Sequence, residues 1–261
     1  MISFINPFNR YEWMIAIRYL RSKRSDGGIS SMTWISLIGI SLAVFALIAT
    51  LAVRTGFRAE FVNTILGANA HASIYNSPYI NNDGVVVSGF ANYNQIKNKI
   101  ENIEGVLSVS PVVKGQVMAN ANGQNQGVEV FGETLIDIKK LPLIMSPELS
   151  YGSIDSFEKG IAIGSGIARS LGLKLGDTLT LISPDGVKTA FGTSPRINGF
   201  EVVYIFQVGR YDIDNTRIYM PLAEAQIYFN SEGRVDEFEV IVNEPEDIDD
   251  LKILLLSSMS N

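Results

Sequence analysis

The sequence predicts an α+β protein in which one membrane-spanning helix near the N-terminus carries a strand-rich domain. Three observations predict it. Trp34 to Val53, WISLIGISLAVFALIATLAV, is a run of twenty residues without a charge, inside a charge-free stretch that begins at Gly27. From His71 onward the apolar spacing changes from helical to alternating, with Gly, Pro and Asn marking turns. In the roughly 200 residues after the span, segments with strand pattern outnumber segments with helix pattern.

The N-terminal arm comes first. Phe8 to Arg21, FNRYEWMIAIRYLR, spaces Tyr11, Met14 or Ile15, Arg18 and Tyr19 as a helix does, and Trp13 and Tyr19 suit the headgroup level of a bilayer. An interfacial helix is expected there, broken from the span by the linker SKRSDGGISS. Arg10, Arg18, Arg21, Lys23 and Arg24 oppose only Glu12 and Asp26, so the positive-inside bias places the N-terminus in the cytoplasm and everything after Val53 on the far side. Twenty helical residues cover about 30 Å, the thickness of the hydrocarbon core. A cleavable signal sequence has a shorter apolar core, about 7–15 residues, with a cleavage site close behind it; here Ala68-Asn69-Ala70 lies well beyond Val53.

Within the span Gly39, Ala43, Ala46 and Thr50 recur at spacings of four, three and four, which gathers small side chains on one face. In lipid such a face lets another helix approach closely. After Val53 an amphipathic pattern continues through Phe57, Phe61, Ile65 and Leu66 to a stop at Gly67, so the helix is expected to leave the bilayer as a stalk. The expected division is an arm over 1–26, a span and stalk over 27–67, and a folded domain over 68–261.

In that domain HASIY and GVVVSG read as strands, and NYNQIKNKIENIEG as a helix with Ile96, Ile100 and Ile103 inward and a stop at Gly105. VLSVSPVV and KGQVMANA read as two strands, followed by a turn at Asn122-Gly123 and the strand GVEVFGE. SFEKGIAIGSGIARSLGLKLGDTLTLIS gives a strand, a short helix ending at Gly172, and the strand TLTLI. An excursion bounded by Pro184 and Pro195 separates that strand from FEVVYIFQV. Counted as a hairpin loop it is long, and long loops tend to be functional or mobile. GRYDIDNTRIYMPLAEAQIYF reads as a turn, a strand and a helix from Pro221; EFEVIV is a strand, and EPEDIDDLK opens a last helix. The carboxylates of that last segment are caps and dipole complements, not a metal site.

Composition excludes several functions. The net charge of −6 lies outside the basic arm, which leaves no basic face for nucleic acid. There is no cysteine and one histidine, His71, and no glycine-rich loop ending in Gly-Lys-Ser or Gly-Lys-Thr, so ATP binding by a P-loop is not expected. Gly164-Ser165-Gly166 lacks the remaining residues of a nucleotide loop and fits a glycine-rich turn before a helix. No catalysis, cofactor or metal is expected of this chain.

IAIRYLRSKR followed by SSMTWISLIGISLAVFALIATLAVRTGFRAEFVNTILG resembles the opening of the lipoprotein-releasing permeases of the LolC/LolE type, relatives of the MacB-like ABC transporters. VLSVSPVV, GSGIARSLGLKLGD and YDIDNTRIYMPLAEAQ follow in family order, so the resemblance covers nearly the whole chain. It implies a MacB-like periplasmic domain with a porter-like α/β subdomain and a β-rich inserted one, about 155–220. It implies a bacterial inner-membrane permease that pairs with a second permease subunit, like itself or as a LolC/LolE pair, and works with a cytoplasmic ABC ATPase dimer. Such permeases take lipoprotein cargo from the membrane lipid and hand it to a periplasmic LolA-like carrier, a step of outer membrane biogenesis.

In the LolC-like member a protruding loop between two prolines grips the carrier. Here that loop maps onto Pro184 to Pro195, with Phe191 as the apolar tip beside Gly192, and Lys188 and Arg196 as rim charges. The resemblance extends the face of Gly39, Ala43, Ala46 and Thr50 by Val53, Gly56 and Phe57 as lipoprotein cavity or helix-packing surface. Two departures stand out. Family members carry an asparagine before the Gly-Phe of the stalk where this chain has Thr55 after Arg54, and they have three further membrane helices after the periplasmic domain, so a C-terminal truncation near Asn261 is expected. The alternatives are a MacB-like or FtsX-like permease that relays force without moving lipoproteins, and a single-span anchored binding domain.

Overall fold

A chain with one long apolar run and many short alternating ones must satisfy two solvents, and the computed structural model deals with them in two compact units, Met1–Val62 and Asn63–Asn261. It describes residues 10–20, 27–66, 69–80, 86–146, 150–189 and 192–243. In the first unit α1 spans Arg10–Leu20. Helix α2 runs unbroken from Gly27 to Leu66, so the predicted span and stalk form one element of 40 residues. At 1.5 Å per residue it is about 60 Å long, roughly twice the hydrocarbon thickness. Among the described residues it is the one helix long and apolar enough to cross a membrane, over Ser31–Arg58. Met32, Ile35, Leu42, Phe45, Ile48 and Val53 are all exposed around it, a pattern suited to lipid rather than to a helix with a single buried stripe.

The second unit begins with the short strands β1 (Ala72–Tyr75), β2 (Tyr79–Ile80), β3 (Val86–Val87) and β4 (Phe90–Ala91), then α3 (Tyr93–Glu101). Two long strands follow, β5 (Val106–Ala121) and β6 (Gln124–Glu133), then α4 (Leu135–Ile138), β7 (Tyr151–Gly152) and a 3-10 helix over Ile154–Lys159. Next come β8 (Ile161–Gly164), α5 (Ser165–Leu171), β9 (Thr178–Thr189) and β10 (Gly192–Phe206). The described part ends with α6 (Tyr211–Thr216), β11 (Arg217–Pro221), α7 (Leu222–Tyr228), β12 (Arg234–Val235) and β13 (Glu237–Val242). The helix expected from EPEDIDDLK lies outside the described residues.

Nine strands form one sheet in the order β1-β13-β5-β6-β11-β8-β10-β7, with β9 paired to both β10 and β5. Because β9 returns to β5, the strands β5, β6, β11, β8, β10 and β9 close into a ring, and β13 and β1 branch from β5. The segment expected as an inserted β-rich part supplies β8, β9, β10 and β11 to this ring, while β5 and β6 precede it. Val117, Val130, Ile163, Leu179, Leu181 and Val202 share one core, into which α5 inserts Ile167 and Leu171. A second core holds Phe131, Tyr204, Phe206 and Tyr219 together with Ile138, Phe157 and Ile213 from α4, the 3-10 helix and α6.

Two readings change. VLSVSPVV and KGQVMANA are one strand, because Pro111 sits where only β13 flanks β5; the β6 ladder starts at Val113. A proline costs little where one edge needs no N–H donor. Residues 211–216, expected as a turn, form the short α6, whose Asp214 accepts hydrogen bonds from the amides of Val208 (2.8 Å) and Gly209 (3.1 Å). The glycines of GSG are explained by this neighbour. A side chain at Gly164 would run into the Asp214 backbone and one at Gly166 into Asn215. The Asn122-Gly123 turn has positive φ at both residues, 51° and 74°, and joins Ala121 to Gln124. These are the backbone angles a two-residue hairpin requires.

Two buried carboxyls sit where β6 runs into α4. Asp137 accepts hydrogen bonds from Thr134 Oγ1 (2.7 Å), Lys140 Nζ (3.0 Å) and Lys97 Nζ (3.3 Å). Glu133, opposite Pro221 of β11, is 1 % exposed and its Oε1 has no hydrogen-bond partner. Burial pushes the Glu133 carboxyl well above the usual carboxylate range; Glu239, Asp137 and Glu237 add to the rise and Arg217 opposes it. An acid whose pKa rises on folding favours the folded state most below its ordinary pKa, and that contribution is lost as pH climbs toward the folded value. Glu133→Gln, which does not titrate, is therefore expected to gain stability relative to the unsubstituted chain as pH rises above the ordinary carboxylate range. Thermal unfolding of the full chain in detergent micelles at stepped pH checks this; a pH-independent difference would show that folding does not raise the Glu133 pKa.

Candidate functional site

The excursion between the two prolines is built from strand, not loop. In β9 Leu179, Leu181 and Ser183 point into the domain while Thr180, Ile182 and Pro184 alternate outward. The ladder with β10 runs from Thr178↔Glu201 to Ser183↔Arg196, breaks, and resumes as Val187↔Ser194, Lys188↔Thr193 and Thr189↔Gly192. The segment expected as a long loop is thus paired strand, with Thr189↔Gly192 the outermost described pair. The break is a bulge, with Pro184, Asp185 and Gly186 on one strand facing Pro195 on the other. Both prolines fall where no ladder N–H is required, which is why they do not end the strands. At Gly186 a side chain would run into the Ser194 carbonyl and the Arg196 backbone nitrogen, so the strands approach there as only glycine permits.

The predicted hairpin residues fall as follows. Pro184 and Pro195 are exposed at the bulge, and Gly192 and Lys188 lie in the outer ladder. Phe191 lies outside the described residues. Arg196 is half-buried. Its guanidinium donates to the Ile227 carbonyl at the end of α7 and to Asn230 Oδ1 (2.7 Å), and Asn230 Nδ2 donates to the Gly186 carbonyl (3.4 Å).

Sequence reasoning missed the surface at the hairpin's base. Met118 of β5 is in register with Ile182 of β9, and Ile182 with Ile197 of β10, giving an apolar row across three strands. Met118 is 47 % and Ile197 63 % exposed. Met118, Ile182, Pro184 and Pro195 line a mainly apolar cleft of about 710 Å³ with Gln116 and Glu129 at its polar side. The available signal was parity: Met118 and Ile182 occupy outward positions in strands whose inward positions are already apolar.

On α2 the residues Gly39, Ala43, Ala46, Thr50, Val53 and Phe57 fall within an arc of about 80° at 100° per residue, whereas Gly56 lies about 100° away from Phe57. All are exposed, and Thr50 Oγ1 donates to the Ala46 carbonyl (2.7 Å), so the hydroxyl needs no partner from lipid. His71 is committed to structure. Its Nδ1 accepts the Val242 N–H (3.0 Å), and burial pushes its pKa down. Among the described residues no group of three or more His, Asp or Glu could hold a metal.

The family model for the MacB-like periplasmic core domain matches residues 33–255. The lipoprotein-releasing system transmembrane protein LolC of Neisseria meningitidis serogroup B is 29 % identical over 252 residues, 95 % of this chain and 58 % of that protein. LolE of Haemophilus influenzae is 26 % identical over 251 residues, 94 % of this chain and 58 % of that protein. The chain thus spans little more than half the length of these relatives. The periplasmic region of MacB from Actinobacillus actinomycetemcomitans superposes with a TM-score of 0.46 at 11 % identity, covering 73 % of this chain and 83 % of that one, and the assignment does not rest on it. Matched from within α2 to beyond β13, the chain belongs to the family of the MacB-like periplasmic core domain.

Proposed function

We propose that this chain is a permease subunit of an ABC transporter that releases lipoproteins from the bacterial inner membrane to a periplasmic carrier. The observation that carries the reading is one chain joining a membrane-length apolar helix to a core domain with a proline-flanked projecting hairpin, alongside similarity to LolC over 95 % of its length. On this reading the arm over 1–26 stays at the cytoplasmic side, 27–67 crosses and leaves the membrane, and 68–261 is periplasmic. ATP is hydrolysed by a separate cytoplasmic ATPase dimer, not by this chain.

The physical task explains the parts. Each acyl CH₂ exposed to water costs about 0.8 kcal/mol, so a lipid-anchored cargo needs an energy-coupled push and an apolar receiver held close to the exit. The hairpin holds the receiver, with Phe191 as apolar anchor and Lys188 beside it. The face of Gly39, Ala43, Ala46, Thr50, Val53 and Phe57, with Gly56 at its side, packs against the second permease subunit or borders the cargo cavity. A second reading, a MacB-like permease that relays force without moving lipoprotein, is favoured by one set of contacts. The segment just after α2 is tied into the sheet through Asn69 to Arg217 (2.9 Å) and His71 to Val242.

Two measurements test the proposal. Capture of purified LolA-type carrier by the detergent-solubilised chain is expected to fall by roughly tenfold or more in Phe191→Glu, since a charge in an apolar anchor pocket is left unpaired; equal capture would remove the hairpin from the carrier site and favour the force-relay reading. The chain is also expected to sediment with membranes and to resist extraction by high salt or alkaline carbonate. Release without detergent would overturn the permease reading altogether.

A further inference from the structure

Among the described residues, no third strand pairs with the hairpin beyond the bulge. The third strand, β5, pairs with β9 only at Thr180, Leu181 and Ile182, so the outer ladder from Val187↔Ser194 to Thr189↔Gly192 is a two-stranded ribbon. An isolated two-stranded ribbon is marginal in water. The bulge between the supported and unsupported halves leaves Pro184, Asp185 and Gly186 without ladder partners and is a natural joint. A projecting element that swings at such a joint must be ordered anew each time it binds, and that ordering subtracts from affinity.

One set of side chains spans the joint. Arg196, the first paired residue on the supported side, donates to the Ile227 carbonyl and to Asn230 Oδ1 (2.7 Å). Asn230 in turn donates from Nδ2 to the carbonyl of Gly186, the last unpaired residue of the bulge (3.4 Å). A single amide therefore bonds both Arg196, on the supported side, and the bulge itself. The anchor itself is rigid. Asn230 takes the left-handed conformation (φ 56°) that closes helices, Ser231 N–H reaches back to the Gln226 carbonyl (2.8 Å), and Leu222, Ala225 and Tyr228 hold α7 in the core. A guanidinium suits the place, since its planar fork serves two acceptors at once and its charge faces the negative end of a helix.

We propose that Arg196 is a positioning residue: by clamping the base of the β9–β10 hairpin to the C-terminal end of α7 through Asn230, it sets the direction in which the paired strands leave the bulge toward the periplasmic carrier. The carrier half of this statement rests on the function proposed above; the clamp does not. The clamp also separates Arg196 from Lys188, because the Arg196 guanidinium is directed at acceptors on and just after α7.

The test uses the full chain in detergent micelles, with purified LolA-type carrier as the probe, and compares the unsubstituted chain with Arg196→Gln, Arg196→Lys and Asn230→Ala, all retaining Phe191. Arg196→Gln and Asn230→Ala are expected to weaken carrier binding about tenfold and to speed amide exchange over residues 186–194, with no change in the salt dependence of association. Arg196→Lys is expected to recover part of the loss, having lost the fork but kept the charge. Unchanged exchange over 186–194 in Arg196→Gln would overturn the clamp. Weaker binding with a reduced salt slope and unchanged exchange would make Arg196 a contact charge instead. If the unsubstituted chain captures no carrier, the proposed function fails, and the exchange measurement still decides whether Arg196 holds the hairpin.

Discussion

The pairing of β9 with β5 is the constraint on which the rest of the domain depends. Three residue pairs, Met118↔Ile182, Ala119↔Leu181 and Asn120↔Thr180, turn an open sheet into a closed ring. Their register is set by parity. Leu179 and Leu181 face the ring interior, and a slip of one residue would turn both to water at about 2 kcal/mol each. The same ladder decides where support for the hairpin stops. Because β5 pairs no further than Ile182, β9 and β10 continue past the bulge paired only with each other.

Polar groups enter the interior in two ways. Asp137 is repaid for its burial by one hydroxyl and two lysines, so its charge is matched on the spot. Glu133, four residues earlier, is pushed toward its neutral form first by burial and then by charged neighbours that are mostly carboxylates. Nearby, Arg217 stacks over Phe131 (4.3 Å) and donates to Tyr219 Oη (3.2 Å) and Asn69, so a half-buried cation ties the strand β11 to the segment that follows the membrane helix.

In α2 the rules differ because lipid gives apolar side chains no reason to cluster. The helix is apolar on every side, its backbone groups are paired internally, and its one polar side chain in the small-residue face is bonded back to its own turn. Shape is the remaining source of specificity, and a strip of Gly, Ala and Thr supplies it.

Composition and periodicity determined the class of this protein: a charge-free run of membrane length, alternation in TLTLI and EFEVIV, the Asn122-Gly123 turn and the Gly172 stop are local features, and local physics produced them. The family was legible for the same reason, since its marks are contiguous segments. The hairpin was legible as an excursion but not as a ladder, because two prolines signal a loop unless a bulge elsewhere in the pairing excuses their missing N–H groups. The role of Arg196 was hidden altogether: it depends on Ile227 and Asn230, some thirty residues away, meeting Gly186 across a joint. Ring closure, the apolar row Met118–Ile182–Ile197 and the clamp were decided only by tertiary structure, because each joins residues from strands or helices distant in the chain and no single segment carries its signal.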